Sequence, residues 1–418
     1  MSAPDADLSR HAIKLYQSGN FGEAEKLYRR LQSRDPDNWQ YALLLGLCRH
    51  GLGDVDGAFE KLRRAVELGD GQPATHYYYG RLLTDSMQPG LAREQFAQAV
   101  ALDPNHVEAR TALGLVSLMT GDFKRATGEL KTALRASDSH VPALAALARA
   151  LIEQDEIEAA YPHALKAVKL DPQSVVAQNS LGRVFHLQGQ LDFSLQCFDN
   201  ALALKPDSGE LNAGKAAVLM SAHREREALE HYTKALDTGF GGTDVVVETS
   251  ICLERLGDLQ QAHKLLRQAA QRWPEDSKIL VRLSELRMLD GDLDGAAQTL
   301  ASLDPAQPPV ALMKARIADA RGEREQALEI LTPLVEGDTR ALQHQARLLL
   351  ARMIAESETA PETRIERARE TLRPLLDRQP PSPDAVLVWS LILENAQQYQ
   401  QACQALEKLL QRDGIGEA

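Results

Sequence analysis

One spacing dominates this chain. Alanine stands at positions 24, 58, 92, 126 and 160, in steps of 34 residues, and the next steps land on Ser194, Ala228, Ala262 and Ala296. A second series, Ala65, Ala99, Ala133, Ala167, Ala201, Ala235 and Ala269, keeps the same step. A third is also small: Gly46, Gly80, Gly114, Ala148, Gly182, Ala216, Ser250 and Ser284. A fourth closes several units with Pro36, Pro104, Pro172, Pro206 and Pro274. A fixed period of this length is the mark of stacked supersecondary units. Such an array lengthens without enlarging a single core, so its 418 residues need not divide into ordinary domains.

Each position in the period has a physical reason. Small residues let two helices approach closely, where a larger side chain would overpack at a cost of about 1–3 kcal/mol. Proline ends a helix because it lacks the amide hydrogen and its ring clashes with the preceding turn. Between the small positions lie apolar residues at helical spacing, such as Leu113, Leu115, Val116 and Leu118. Midway through several units sits a Gly-Asp pair: Gly53-Asp54, Gly121-Asp122, Gly257-Asp258 and Gly291-Asp292. Glycine supplies a left-handed helix end and aspartate caps the next start. Each unit therefore reads as helix, tight turn, helix, longer turn. Helices of this length are marginal alone and depend on packing against neighbours. Aromatic content of only 5% suits alanine and leucine contacts between them.

The pattern resembles the tetratricopeptide repeat (TPR): a large and then a small residue in the first helix, then alanine, an aromatic or leucine, alanine, and a closing proline. "LGLVSLMTGDFKRATGELKTAL" and "LGRVFHLQGQLDFSLQCFDNALALKPDS" carry it well. The resemblance extends over nearly the whole chain in about twelve units, the first nine starting near Asp5, Trp39, Pro73, Val107, Val141, Val175, Gly209, Thr243 and Ser277. It implies an all-α fold, a right-handed superhelical α-solenoid of antiparallel helix pairs. The register then slips. Ala327 comes three residues early after "DPAQPPV" at 304–310, which shortens a helix, and Ala368 seven late after "ESETAPETR" at 356–364, which lengthens a turn. Pro333 and Pro374 predict kinked second helices. Residues 1–307 thus read as the regular array and 308–418 as a divergent sub-array.

Little points to catalysis. The net charge of −12 argues against a general nucleic-acid binder and favours solubility. Cys48, Cys197, Cys252 and Cys403 form no CxxC pair, which speaks against disulfides and zinc and suits a reducing compartment. The opening "MSAPDADLSRHAIKLYQSGN" has no stretch of signal-peptide character, and nothing later reaches the ~20 apolar residues of a membrane span, so the expectation is cytoplasmic with no direct membrane insertion. "GFGGTD" at 239–244 lacks the Gly-Lys-Ser/Thr of a phosphate loop and reads as a turn, as does "GDGQP" at 69–73. No histidine pair has helical metal spacing, and the cysteines read as buried, inert thiols. The carboxylates, scattered along helices, read as solvated faces. Repeats from about Asp5 to Arg412 leave less than the ~50 residues of a separate domain. We expect no catalytic residue, no metal, no cofactor and no enzyme.

The resemblance implies a concave groove lined by the first helix of each repeat, at its second, fifth, ninth, twelfth and thirteenth residues. These positions hold Tyr77, Arg81 and Thr84 in the third repeat, Arg149 and Ile152 in the fifth, and Val176, Asn179, Arg183 and His186 in the sixth. Leu43, Leu47, Ala213, Ala217, Val247 and Ile251 make the second, seventh and eighth apolar. Asn179 is the only fragment of the carboxylate clamp of chaperone-tail binders, whose lysines are missing. The asparagine ladder of sugar-transferase arrays is absent, its places taken by Leu44, Tyr78, Ala112, Ala146 and Ser180. The candidate partner-binding residues are therefore Tyr77, Arg81, Arg149, Asn179, Arg183 and His186. The last four form a polar cluster suited to an acidic segment, or else a set of surface charges balanced by nearby carboxylates. The expected function is a scaffold or adaptor holding extended or helical segments of one or more proteins, and no nucleic acid. The alternative is an accessory subunit presenting substrate protein to a separately encoded transferase-type enzyme.

Overall fold

The computed structural model describes residues 3–336, 340–356, 361–378 and 381–410, and among them every regular element is a helix. The chain forms two compact units, Met1–Arg224 and Glu225–Ala418. The first holds α1 (Ala3–Gln17), α2 (Phe21–Arg34), α3 (Trp39–Gly51), α4 (Val55–Leu68), α5 (Pro73–Asp85), α6 (Pro89–Leu102), α7 (Val107–Met119), α8 (Phe123–Ala136), α9 (Val141–Ile152), α10 (Ile157–Leu170), α11 (Val175–Leu187), α12 (Leu191–Leu204) and α13 (Gly209–Ser221). The second holds α14 (Glu225–Asp237), α15 (Gly242–Arg255), α16 (Leu259–Arg272), α17 (Ser277–Leu289), α18 (Leu293–Thr299), α19 (Pro308–Ala320), α20 (Arg324–Glu336), α21 (Arg340–Ala355), α22 (Pro361–Leu376), α23 (Pro383–Asn395) and α24 (Tyr399–Leu410). Seven of the nine starts read from the spacing coincide with helix starts; Asp5 and Thr243 fall two and one residues inside α1 and α15.

The caps explain the turns. Asp54, Asp122, Asp258 and Asp292 each accept a hydrogen bond from the backbone N–H three residues on. The glycine before each is left-handed, Gly53 at φ +80 for example. Among the described residues four repeats lack that glycine and hold Met87 (φ +57), Asp155 (φ +63), His223 (φ +55) and Gln397 (φ +60) in the same strained region, at a cost of about 1–2 kcal/mol each.

The small positions meet large ones across each pair. A Cβ on Gly80 would lie 2.7 Å from a ring carbon of Phe96, and one on Gly114 would lie 2.6 Å from Leu130 Cγ. Phe96 and Leu130 are in turn fully enclosed. In the fifth repeat both partners are small, Ala148 and Ala164. Ala145 and Ala146 then let α11 come close to α9, and the Ser180 hydroxyl donates to the Ala145 carbonyl at 3.1 Å.

Within each unit successive helices pack as pairs, and the first helices of neighbouring pairs also touch: α3 with α5, α5 with α7, α7 with α9, α9 with α11, and likewise α15 with α17 through to α23. Second helices make no contact of that extent among the described residues. The face made by the first helices is therefore the inner one in each unit, and the fold is an α-solenoid.

Helix lengths change in the late repeats. Helix α18 is cut to 7 residues, ahead of the Pro-rich stretch. The extra residues around 356–364 are not all turn: α21 and α22 run to 16 residues each, and 357–360 lie outside the described residues. Pro333 and Pro374 stand in the last turn of α20 and α22, and the helix continues past both. Pro162 inside α10 is a third interior proline, which the spacing did not single out.

Candidate partner-binding groove

On the inner face of the first unit, α5, α7 and α9 leave a pocket of about 320 Å³. Tyr77, Arg81, Thr84 and Asp85 of α5 form one wall. Glu108, Thr111, Ala112, Leu115 and Val116 of α7 form the floor, Phe96 of α6 backs it, and His140 and Pro142 close the far side. The tyrosine ring is half-buried. Its centroid lies 6.0 Å from that of Phe96 and 5.3 Å from the His106 imidazole. Burial raises its hydroxyl above the ordinary tyrosine range, against the opposing pull of Arg81. Tyr77 thus both packs on the neighbouring repeat and presents a wall to the pocket. The Arg81 guanidinium lies 6.0 Å from the Tyr77 ring and 5.9 Å from the Tyr78 ring, a geometry that holds a cation over aromatic faces. Burial lowers the His140 imidazole below its ordinary value, with Glu108 opposing.

The expected polar cluster divides. Arg183 donates to Glu153 at 2.8 Å and Asn179 to Glu210 at 2.9 Å. His186 Nε2 lies 2.8 Å from the Ser221 hydroxyl, and burial, with Arg183 beside it, lowers its affinity for a proton. These three side chains on α11 are already engaged by their own chain. Arg149 on α9 is exposed and has no ion-pair partner among the described residues. Glu153, one turn away, is taken by Arg183. Two predicted groove positions are closed instead of open: Leu43 is 6% exposed, packed with Leu62 and Leu82, and Ile152 is 9% exposed, because the small residues of the fifth repeat draw α9 against α11.

The inner face of the second unit is lined differently. Arg282 is buried and bridges helices: its Nε donates to Ser250 at 3.0 Å, and its other nitrogens pair with Glu254 and Glu285. Glu285 in turn accepts from Arg316 at 2.9 Å, and Arg352 pairs with Asp319 at 2.5 Å. Reading these carboxylates as solvated was wrong; they bind arginines one repeat away, at a separation of 28 to 33 residues that spacing along one helix cannot reveal.

Three cysteines are buried and Cys403 is exposed, contrary to the expectation for that residue. Burial pushes the Cys48 thiol up to about 12 and those of Cys197 and Cys252 to about 11, so all three stay protonated and unreactive at neutral pH. Among the described residues no group of three His, Cys, Asp or Glu is placed to hold a metal, and no helix is long and apolar enough to cross a membrane. "GDGQP" is a turn, held by the Thr75 hydroxyl on the Gly69 and Gln72 carbonyls. "GFGGTD" is another, with Gly239 and Gly241 left-handed.

Two curated relatives share part of this pattern. The BBSome complex member BBS4 of Bos taurus is 20% identical over 265 residues, 63% of this chain and 51% of that protein. The CTR9 homolog of Arabidopsis thaliana is 27% identical over 143 residues, 34% of this chain and 13% of that protein. The chain thus spans about half the length of the first and far less of the second. Among solved structures, a tetratricopeptide repeat protein from Parabacteroides merdae matches with TM-score 0.49 and 12% identity, over 60% of this chain and 100% of that one. YrrB, described as a TPR protein with an unusual peptide-binding site, matches with TM-score 0.33 and 22% identity, over 43% of this chain and 93% of that one. Tetratricopeptide repeat models match residues 10–73, 80–141 and 145–209, then 253–309, and then 384–413. With more than half its length matched and helices paired throughout both units, the chain belongs to the tetratricopeptide repeat family.

Proposed function

We propose that the chain is a scaffold or adaptor that holds a segment of a partner protein against the inner face of its first unit. The observation that carries this reading is the pocket between α5, α7 and α9. It offers about 320 Å³ of surface cleft between largely apolar walls. A volume of that size accepts one large side chain. Burying one large apolar side chain contributes about 1.5–3 kcal/mol. Micromolar binding needs about 8 kcal/mol, so the contact must run on over neighbouring repeats, as an extended inner face allows. BBS4, matched over half its length, is a member of a complex, which accords with a scaffolding role.

The test is site-specific cross-linking in the source cell. A photoreactive phenylalanine analogue replaces Leu115 in the pocket or, as control, Lys131 on the outer helix α8. Cross-linking of a defined partner segment from position 115 alone supports the reading. Equal capture from both positions, or capture from 131 only, rejects it.

A further inference from the structure

We infer that the segment held in this pocket is an extended acidic peptide carrying one large apolar side chain, flanked on each side by a carboxylate about three residues away. This rests on the groove reading above and specifies its occupant. Three residues carry it: Arg81, Leu115 and Arg149 are each the ninth residue of their helices, α5, α7 and α9. They therefore stand at one level across three adjacent first helices. Leu115 in the middle is 39% exposed and lines the pocket. Neighbouring axes lie about 8–10 Å apart, so the two guanidiniums are separated by about 16–20 Å. An extended chain rises about 3.3 Å per residue, and five to six residues cover that span, with the apolar anchor at its centre.

Charge complementarity selects carboxylates. Neither Arg81 nor Arg149 has an ion-pair partner among the described residues. Arg81 is steadied by two tyrosine rings and by a hydrogen bond to the Tyr77 hydroxyl, and its remaining N–H groups can take a carboxylate, while Arg149 is left without an ion-pair partner because Glu153 turns to Arg183. Two carboxylates also line the pocket, but off this level. Glu108 lies 3.1 Å from His106 and is seven residues before Leu115, about 10 Å along the axis. Asp85 lies 3.5 Å from His50 and is four residues past Arg81, about 6 Å along the axis. A carboxylate crossing at the ninth-residue level meets the arginines first.

The test is selection from a displayed library of random ten-residue peptides on the full chain, followed by fluorescence anisotropy with the enriched peptides. Two variants run beside it, Arg81→Glu/Arg149→Glu and Leu115→Asp, each confirmed helical by circular dichroism. The inference predicts a central Phe, Leu, Met or Trp with Asp or Glu three positions to either side. It predicts affinity about tenfold or more weaker for the double variant, and basic flanks when that variant is itself used for selection. Enriched peptides that Leu115→Asp loses but whose flanks are not acidic overturn this inference and leave the groove reading standing. Peptides that neither variant loses, or no enrichment over an unrelated helical protein, overturn both.

Discussion

The inner faces of the two units are built from the same helix of the same repeat, and both carry arginines, yet Arg81 and Arg149 of the first do the opposite of Arg282 and Arg316 of the second. In the second unit Arg282, Glu285, Glu254 and Arg316 form a ladder across three first helices. In the first unit Arg81 and Arg149 have no ion-pair partner among the described residues, and Arg81 lines a pocket of about 320 Å³. A guanidinium already neutralised by its own chain offers little to a partner, since an incoming carboxylate must first displace the resident one. Charge at a groove position is therefore a weak signal of binding. What counts is whether the chain has answered that charge itself.

The comparison can be broken most directly at Phe96. It is 1% exposed and serves both as core and as pocket wall, so Phe96→Ala should cost about 3–5 kcal/mol. Hydrogen exchange should show the loss in α5 to α8 while α15 to α24 stay protected. Equal loss in both units would mean that they unfold as one and are not energetically separate.

Next in size is the ladder. Arg282→Ala strands Glu254 and leaves Glu285 to Arg316 alone, both carboxylates being about one-third exposed. We expect about 2–3 kcal/mol, below the full cost of breaking a buried pair because of that exposure. Arg149→Ala, with no ion pair to lose, should stay within about 0.5 kcal/mol. Urea denaturation of the two variants checks the contrast, and equal effects would remove it.

Acidification sharpens the same division. His140, His163 and His186, all in the first unit, have affinities for a proton lowered by burial from the ordinary 6.5. A group whose folded value is depressed is neutral in the fold, so its contribution is whole above the unfolded value and shrinks as the pH falls below 6.5. The melting temperature of the first unit should fall between pH 7.5 and 5.5. Replacing the three histidines by glutamine should flatten that dependence, and an unchanged slope would place its origin elsewhere.

The smallest expected effect is a gain. Met87 is 77% exposed and held at φ +57. Met87→Gly removes about 1 kcal/mol of backbone strain, offset in part by the greater freedom glycine gives the unfolded chain. A thermal scan showing no rise would mean that the turn carries no net strain.

Much of this was legible beforehand. The 34-residue step located the helix pairs because small residues must recur wherever two helices touch, and Gly-Asp pairs located the tight turns because few other residues suit a left-handed end followed by a cap. Tyr77 and Arg81, singled out by the groove positions that the resemblance implies, line the pocket. Phe96, His140 and Pro142 were not singled out, since they reach the pocket from a second helix and from the start of the following repeat. The pairing of the expected polar cluster was hidden from the sequence. Asn179 to Glu210 spans 31 residues and Arg183 to Glu153 spans 30, and spacing along one helix says nothing about which of several side chains a neighbour will choose.

The sequence by itself determined the repeat, its period, its turns and the identity of the face that meets the neighbouring repeat, because these follow from local sterics repeated in register. The tertiary structure alone decided where that face is open. Whether two first helices close on each other, as α9 and α11 do through Ala145 and Ser180, or leave room between them, as α5, α7 and α9 do around Leu115, depends on side-chain volumes from three repeats at once. Which arginines remain unanswered depends likewise on competition among carboxylates brought together only by folding.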